Sequence, residues 1–341
     1  MIKPLLQDYS QQGEDLRALI GQIQQHATVH AYLLSGEKGL GKRTFAGLMG
    51  QALLCQDPHF RPCGHCRNCT LASAGEHPDL AVIAKGAPLA PGIPKDRTTI
   101  PVDDIREMIR FCSVRSSDGN MRIVLIFDAD RMTVQAQNCL LKTLEDPPED
   151  ICIVLVTEHT EALLPTVLSR CRIIRFKPWD DAVILRILKE QGIGQERAEE
   201  VLAAADGSIG KALELASDEA YWKLKKEVKD NFFYTFRRSD ILRISNGWKN
   251  RKGEAEQILS MLEADVRVLL TSRNAEADNP GLNAFPPPWQ RFSREAEPER
   301  FLMLMDAVAQ ARKQLLYSAN FQTVIEKLLF LFMGEGNQWS E

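Results

Sequence analysis

The sequence has no run of apolar residues approaching the roughly 20 that a membrane-spanning helix requires, and its opening, Met1-Ile2-Lys3-Pro4, is not that of a signal peptide. It also lacks an excess of positive charge. Against 46 Asp and Glu stand 42 Lys and Arg, a net charge of -4, so there is no global signature of a nucleic-acid binder. A disulfide framework is missing too: of eight cysteines, four crowd between Cys55 and Cys69 and the others stand singly in apolar or helical surroundings. That pattern fits a metal site in a reducing compartment, and together these absences predict a cytoplasmic protein. The rest of the composition, 44% hydrophobic and 26% charged over 341 residues, is that of a soluble chain of two or three domains.

The absence with the most chemical content is a single hydroxyl. The stretch Gly36-Glu37-Lys38-Gly39-Leu40-Gly41-Lys42-Arg43-Thr44 follows the apolar run Tyr32-Leu33-Leu34, which reads as a short buried strand, and leads into a helix continuing to Leu54. Gly36, Gly39 and Gly41 let the backbone turn tightly and aim N–H groups at phosphate oxygens, and the helix N-terminus adds partial positive charge. Lys42 sits where a P-loop lysine reaches the outer phosphates. The next position should offer a hydroxyl to Mg2+, and it is Arg43, which cannot ligate a cation. Thr44 comes one residue late, and since a helix turns about 100° per residue its hydroxyl is expected to point elsewhere. Gly36, Gly39, Gly41, Lys42 and Thr44 thus read as a degenerate phosphate loop, expected to bind ATP or ADP weakly at best and to have a degenerate Mg2+ site.

Directly after that helix come Cys55 and then Cys63-Gly64-His65-Cys66-Arg67-Asn68-Cys69. Three cysteines two residues apart, with a fourth a short loop upstream, can converge on one tetrahedral ion as a closed structural Zn2+ site does. Pro62 and Gly64 make this a loop with no core in which to hide thiols, which disfavours four unrelated buried cysteines, and His65 inside the turn is expected to face solvent.

Residues 5 to 27 carry Leu16, Leu19, Ile20 and Ile23 at helical spacing, and His30-Ala31-Tyr32 is a candidate adenine contact or a plain strand edge. Leu80 to Ile83 reads as a strand, 85 to 97 as a surface loop, and the segment opening at Val102 as a helix burying Ile105, Met108, Ile109 and Cys112. Arg122 to Phe127 and Ile151 to Val156 are β-branched runs typical of central parallel strands. Between them, 131 to 145 is helical and ends at Pro147-Pro148. A helix-like segment from 161 to 168 leads into Ser169-Arg170-Cys171-Arg172, and Ile173 to Phe176 closes the sheet. Strands alternating with helices predict an α/β parallel sheet with its ligand at the strands' C-terminal ends.

After Pro178-Trp179 the composition shifts, and 180 to 216 reads as three short helices. From there to 341 the pattern is helical apart from 274 to 298, which carries Pro286-Pro287-Pro288 and reads as a loop. Between 221 and 254 ten Lys and Arg face four Asp and Glu, with Trp222, Phe232, Phe233, Tyr234, Phe236 and Trp248 interleaved. Nucleic acid is one reading of such a mixture; an amphipathic helix pair with a solvated basic face and an aromatic core is preferred. Residues 301 to 333 are more apolar than one small domain needs, which predicts an oligomer interface.

Taken together, His30 to Gly36, the four cysteines, Ala129-Asp130-Arg131-Met132-Thr133, the stretch Asn138 to Pro148 and Ser169-Arg170-Cys171 resemble bacterial clamp-loader AAA+ subunits, over roughly residues 20 to 215. The resemblance implies an α/β P-loop (AAA+) domain over 1–178 with a zinc module at 55–69, a small helical lid over 179–216, and an all-α collar over 217–341 that joins five subunits in a ring. The partners implied are motor (gamma/tau) and delta subunits in a hetero-pentamer, with primed DNA and the sliding clamp engaged through the complex. Against the family's motor subunits three parts are missing. In the acidic pair Phe127 falls at the magnesium-binding Asp and Asp128 at the catalytic Glu; Arg43 falls at the P-loop hydroxyl; and Gly210 falls at the lid arginine. The resemblance therefore implies a non-hydrolysing subunit of the DNA polymerase holoenzyme. Arg170 is retained, and in the family this arginine is offered across an interface to a neighbouring subunit's ATP. Its plainer reading is a sheet-edge arginine paired with a local carboxylate. Two other functions compete: an active ATPase motor subunit of the same complex, and a zinc-dependent nucleic-acid-binding module.

Overall fold

The structure, a computed structural model, describes residues 5–87, 89, 97–116, 121–234, 237–274 and 280–338. The chain divides into two compact units, Met1–Glu214 and Leu215–Glu341.

The first unit is built on strands β1 (Ala31–Ser35), β2 (Leu80–Ile83), β3 (Arg122–Ile126), β4 (Ile151–Thr157) and β5 (Arg172–Arg175). They form one sheet in the order β2-β3-β4-β1-β5, every pair parallel. Residues of β1, β3 and β4 are buried throughout, as Val-, Ile- and Leu-rich strands covered on both faces should be. The helices are α1 (Glu14–Gln24), α2 (Lys42–Leu54), α3 (Arg67–Ala74), α4 (Val102–Ser113), α5 (Val134–Glu145), α6 (Pro165–Leu168), α7 (Asp181–Glu190), α8 (Gln195–Ala205) and α9 (Ile209–Ser217). Alternation along the strands sends Leu33, Val124, Ile126, Ile153 and Leu155 to one face, where Ile105 and Met108 of α4 and Leu140 and Leu144 of α5 cover them. On the other face α2 lies so close that a Cβ on Gly50 would stand 3.4 Å from Ile123.

Two elements differ from their sequence reading. The stretch 5 to 27 is a 3-10 helix, Leu6–Gln12, followed by α1, because Gly13 adopts φ 138° between them. The segment 161 to 168 condenses to the short α6, which starts at Pro165, where the missing N–H is not needed.

The second unit is helical: α10 (Glu219–Phe233), α11 (Arg238–Trp248), α12 (Ala255–Thr271), α13 (Pro280–Asn283), α14 (Pro287–Glu295), α15 (Pro298–Leu316) and α16 (Phe321–Gln338). Phe232, Phe233 and Trp248 are buried in its core while Lys223 and Lys226 stay exposed, so α10 and α11 have the amphipathic form expected. Phe236 lies outside the described residues. The loop expected from 274 to 298 is corrected: it contains α13 and α14, Pro287 occupying the first position of α14 and Trp289 and Phe292 entering the core. Phe233 meets Trp289 edge-on with ring centroids 4.9 Å apart. No helix among the described residues is long and apolar enough to cross a membrane.

Candidate functional site

β1 and β4 are neighbours whose outgoing connections run to opposite sides of the sheet, which opens a crevice at their C-terminal ends. The phosphate loop lies there. Gly39 and Gly41 hold φ of 81° and 87°, a region glycine enters without strain. Six consecutive loop carbonyls each accept a hydrogen bond. Lys42 Nζ donates to Gly36 O at 2.6 Å and Glu37 O at 2.5 Å, and Ser208 Oγ to Lys38 O at 3.3 Å. The Gly210 N–H donates to Gly39 O at 2.8 Å, Trp179 Nε1–H to Leu40 O at 3.0 Å, and the Tyr9 hydroxyl to Gly41 O at 3.1 Å. The amides of Glu37 to Gly41 meet no acceptor among the described residues. Lys42 is buried, and burial pushes its ammonium pKa down, opposed by Glu158, Asp130 and Glu37 and reinforced by Arg43.

Arg43 reaches across to the end of β3. Its Nη2 is 2.5 Å from Asp128 Oδ1, and its guanidinium carbon lies 5.3 Å from the centre of the Phe127 ring. Arg43 thus joins the end of its own helix to both Phe127 and Asp128. The Thr44 hydroxyl favours the ionised form of the Tyr9 phenol, against the larger upward push of burial. At position 210 a side chain has no room: a Cβ would stand 2.8 Å from the Gly39 Cα. Neighbouring Lys211 is turned to Asp206, at 3.0 Å. His30 and Tyr32 are placed at the opposite end of β1, where the Tyr32 hydroxyl accepts from the Val29 N–H at 3.0 Å, so the adenine-contact reading of that stretch is withdrawn.

Arg170 follows α6 and precedes β5, which puts it at the N-terminal end of the strands, opposite the loop. Its Nη2 pairs with Glu145 Oε1 at 2.6 Å, and its Nη1 donates to the Thr166 carbonyl at 2.9 Å and to Ser169 Oγ at 3.3 Å. Both charged side chains are partly open to solvent, 33% for Arg170 and 52% for Glu145.

The four cysteines come together. Cys55 closes α2, Cys63 lies in the loop, Cys66 caps α3 and Cys69 sits in its first turn. Their sulfurs all lie within 4.8 Å of one another, and Cys63 and Cys69 are 3.8 Å apart. A tetrahedral ion with bonds of about 2.3 Å to sulfur has edges of about 3.8 Å, whereas a disulfide needs about 2.05 Å. The N–H groups of Cys63, Cys66 and Cys69 point at the sulfurs of Cys55, Cys63 and Cys66, each at 3.4 Å, an arrangement that stabilises thiolates. His65 is exposed with Nδ1 on the Cys63 carbonyl, 2.9 Å away. The donor set fits a closed four-sulfur metal site.

A family model described as DNA polymerase III, delta subunit, matches residues 11–180. The DNA polymerase III subunit delta' of Bacillus subtilis (strain 168) is 27% identical over 94% of this chain and 95% of its own length. That of Escherichia coli (strain K12) is 28% identical over 89% and 87%. This chain belongs to the delta' family of DNA polymerase III subunits. The tau subunit of Escherichia coli (strain K12) is 35% identical, but over 56% of this chain and 29% of tau. Likeness to the delta' family thus runs into the helical second unit, beyond the part shared with tau.

Around this delta' phosphate loop, several working residues escaped sequence reasoning. Tyr9 carried no signal, and Trp179 and Ser208 stood out only as boundary markers. Glu145 was visible within Asn138 to Pro148 but not as the holder of Arg170, because 25 residues separate the two.

Proposed function

We propose that this clamp-loader subunit of the delta' family does not hydrolyse ATP, and that it supplies Arg170 as an arginine finger to a neighbouring motor subunit. One observation carries the first half: the Arg43 guanidinium lies on both Asp128 and Phe127, in the place where hydrolysis needs a hydrated magnesium ion. The tightly packed Gly210 removes the lid cation as well. For the finger, the support is the position of Arg170 at the far end of the sheet from its own loop and the planar, permanently charged fork it presents. In this reading α7 to α9 are the lid and the helical second unit is the collar that meets the gamma/tau and delta subunits. The exposed Leu302, Met303, Leu316, Tyr317 and Phe330 belong to its contact surface. Cys55, Cys63, Cys66 and Cys69 hold a structural zinc ion, which supplies cross-linking rather than catalysis.

The test is turnover by the isolated chain. ATP hydrolysis should not rise above background, with or without Lys42→Ala. Turnover that Lys42→Ala abolishes would instead make this an active motor subunit, the reading that the similarity to tau favours.

A further inference from the structure

A phosphate loop of this fold works with magnesium, and the residues here do not fit that ion. The hydroxyl position is Arg43, the carboxylate position is Phe127, and one oxygen of the nearest carboxylate, Asp128, already binds a guanidinium at 2.5 Å. The anion-binding half of the loop is nevertheless intact. Its carbonyls are individually satisfied by Tyr9, Trp179, Ser208, Gly210 and Lys42, so none of them competes for the amides from Glu37 to Gly41. Those amides have no acceptor among the described residues. Lys42 is buried beside them, and the Arg43 side chain, although anchored, stays 55% exposed.

We infer that Arg43 takes the place of the divalent cation, so that the loop accepts a diphosphate group free of magnesium. The two positive side chains in sequence, Lys42 and Arg43, supply the charge, and the amides supply the hydrogen bonds. A magnesium ion arriving with the diphosphate would meet no ligand at positions 43 and 127 and only the second oxygen of Asp128, and it would face the guanidinium at close range, so like charge disfavours the metal-bound form. The dependence on magnesium is then inverted relative to a hydrolysing phosphate loop.

The experiment is calorimetric titration of the full chain with ADP and, separately, with inorganic pyrophosphate, each in EDTA and in excess Mg2+. Both probes should bind in EDTA and lose at least tenfold in affinity in Mg2+; a stronger response to ADP assigns part of the site to the base, and equal responses assign it to the diphosphate alone. Arg43→Ser frees Asp128 and restores a hydroxyl, and should reverse the order so that Mg2+ strengthens ADP binding. If that variant does not fold, Arg43→Gln keeps a hydrogen bond to Asp128 without the charge and should lose the binding seen in EDTA. Tighter binding by the unmodified chain in Mg2+ overturns the inference. So does an absence of binding to either probe in EDTA by protein with intact circular dichroism, which would leave the loop a purely structural joint. The inference rests on the non-hydrolysing reading but is scored on binding: turnover would sink that reading, whereas Mg2+-strengthened binding without turnover would sink this one alone.

Discussion

A guanidinium brings one positive charge where a bound magnesium ion would bring two, and it comes with its own tether. At position 43 that tether spans the crevice to Asp128, which itself sits at φ 52°, a conformation Asp tolerates better than most residues. The substitution of a hydroxyl by arginine was legible in the sequence, because the spacing from Gly36 to Lys42 fixes the position. What the arginine touches was not, since Asp128 is 85 residues away and only the pairing of the strands brings it near. The same holds at Gly210. Its alignment with a lid arginine could be read from Gly207-Ser208, but the reason it must be glycine is the Gly39 backbone pressed against it. We expect Gly210→Ala to lower stability by about 1–3 kcal/mol through overpacking against backbone that cannot move aside. Gly247→Ala, in α11 with nothing within 4 Å of the added carbon, should be neutral or stabilising by up to about 1 kcal/mol. Urea unfolding of the two variants measures the contrast, and equal effects would mean that the contact between Gly39 and Gly210 is not maintained in solution.

Among elements, the short helix α3 has the least support of its own. Eight residues cannot hold a helix in water, and its first turn is organised by Cys66 and Cys69 together with the bonds from Asn68 to Leu54 O and from Gln51 to Cys69 O. Zinc is therefore its main support in the reading proposed here. Apparent binding energies of structural zinc run to about 10–16 kcal/mol in small fingers, so chelation or Cys66→Ser should melt this loop and α3. The sheet should survive, because the core made with α4 and α5 takes no residue from the module. Elemental analysis should find one zinc per chain, and hydrogen exchange on the chelated protein should speed up at 55–75 while β1, β3 and β4 stay protected. Absence of zinc in protein prepared without chelators would refute the site. The spacing made the cluster legible from sequence alone. By contrast, α14 was misread as loop, since three consecutive prolines signal a break unless one recognises that the second of them can start a helix with Trp289 and Phe292 on one face.

On the scale of the whole molecule, the sheet order puts the phosphate loop and Arg170 at opposite ends of the strands, so one chain cannot bring its own arginine to its own loop. Alternation of strands and helices made the parallel sheet legible; which partner each end meets is not written in either the sequence or the single chain. In the isolated chain Arg170 is not idle but paired with Glu145, an interaction between partly exposed groups that is weak enough to be exchanged for a phosphate oxygen. This suggests a test in the reconstituted complex with gamma/tau and delta subunits. Arg170→Ala should leave co-purification intact, because among the described residues the side chain hydrogen-bonds to Glu145, Thr166 and Ser169 of its own chain. DNA- and clamp-stimulated ATP hydrolysis should fall. Arginine fingers contribute about 10³ to 10⁵ in rate at the site they serve, but with several motor sites in one ring the loss in total turnover should be far smaller, with clamp loading reduced alongside. Arg170→Lys keeps the charge without the fork and should recover only part of the loss. Glu145→Ala separates the two readings of the arginine. If Arg170 is a finger, removing its resting partner leaves turnover unchanged or raised; if the ion pair merely braces the sheet edge, Glu145→Ala and Arg170→Ala should damage the complex alike. Full hydrolysis and loading by an assembled Arg170→Ala complex would leave the structural brace as the only role of this residue.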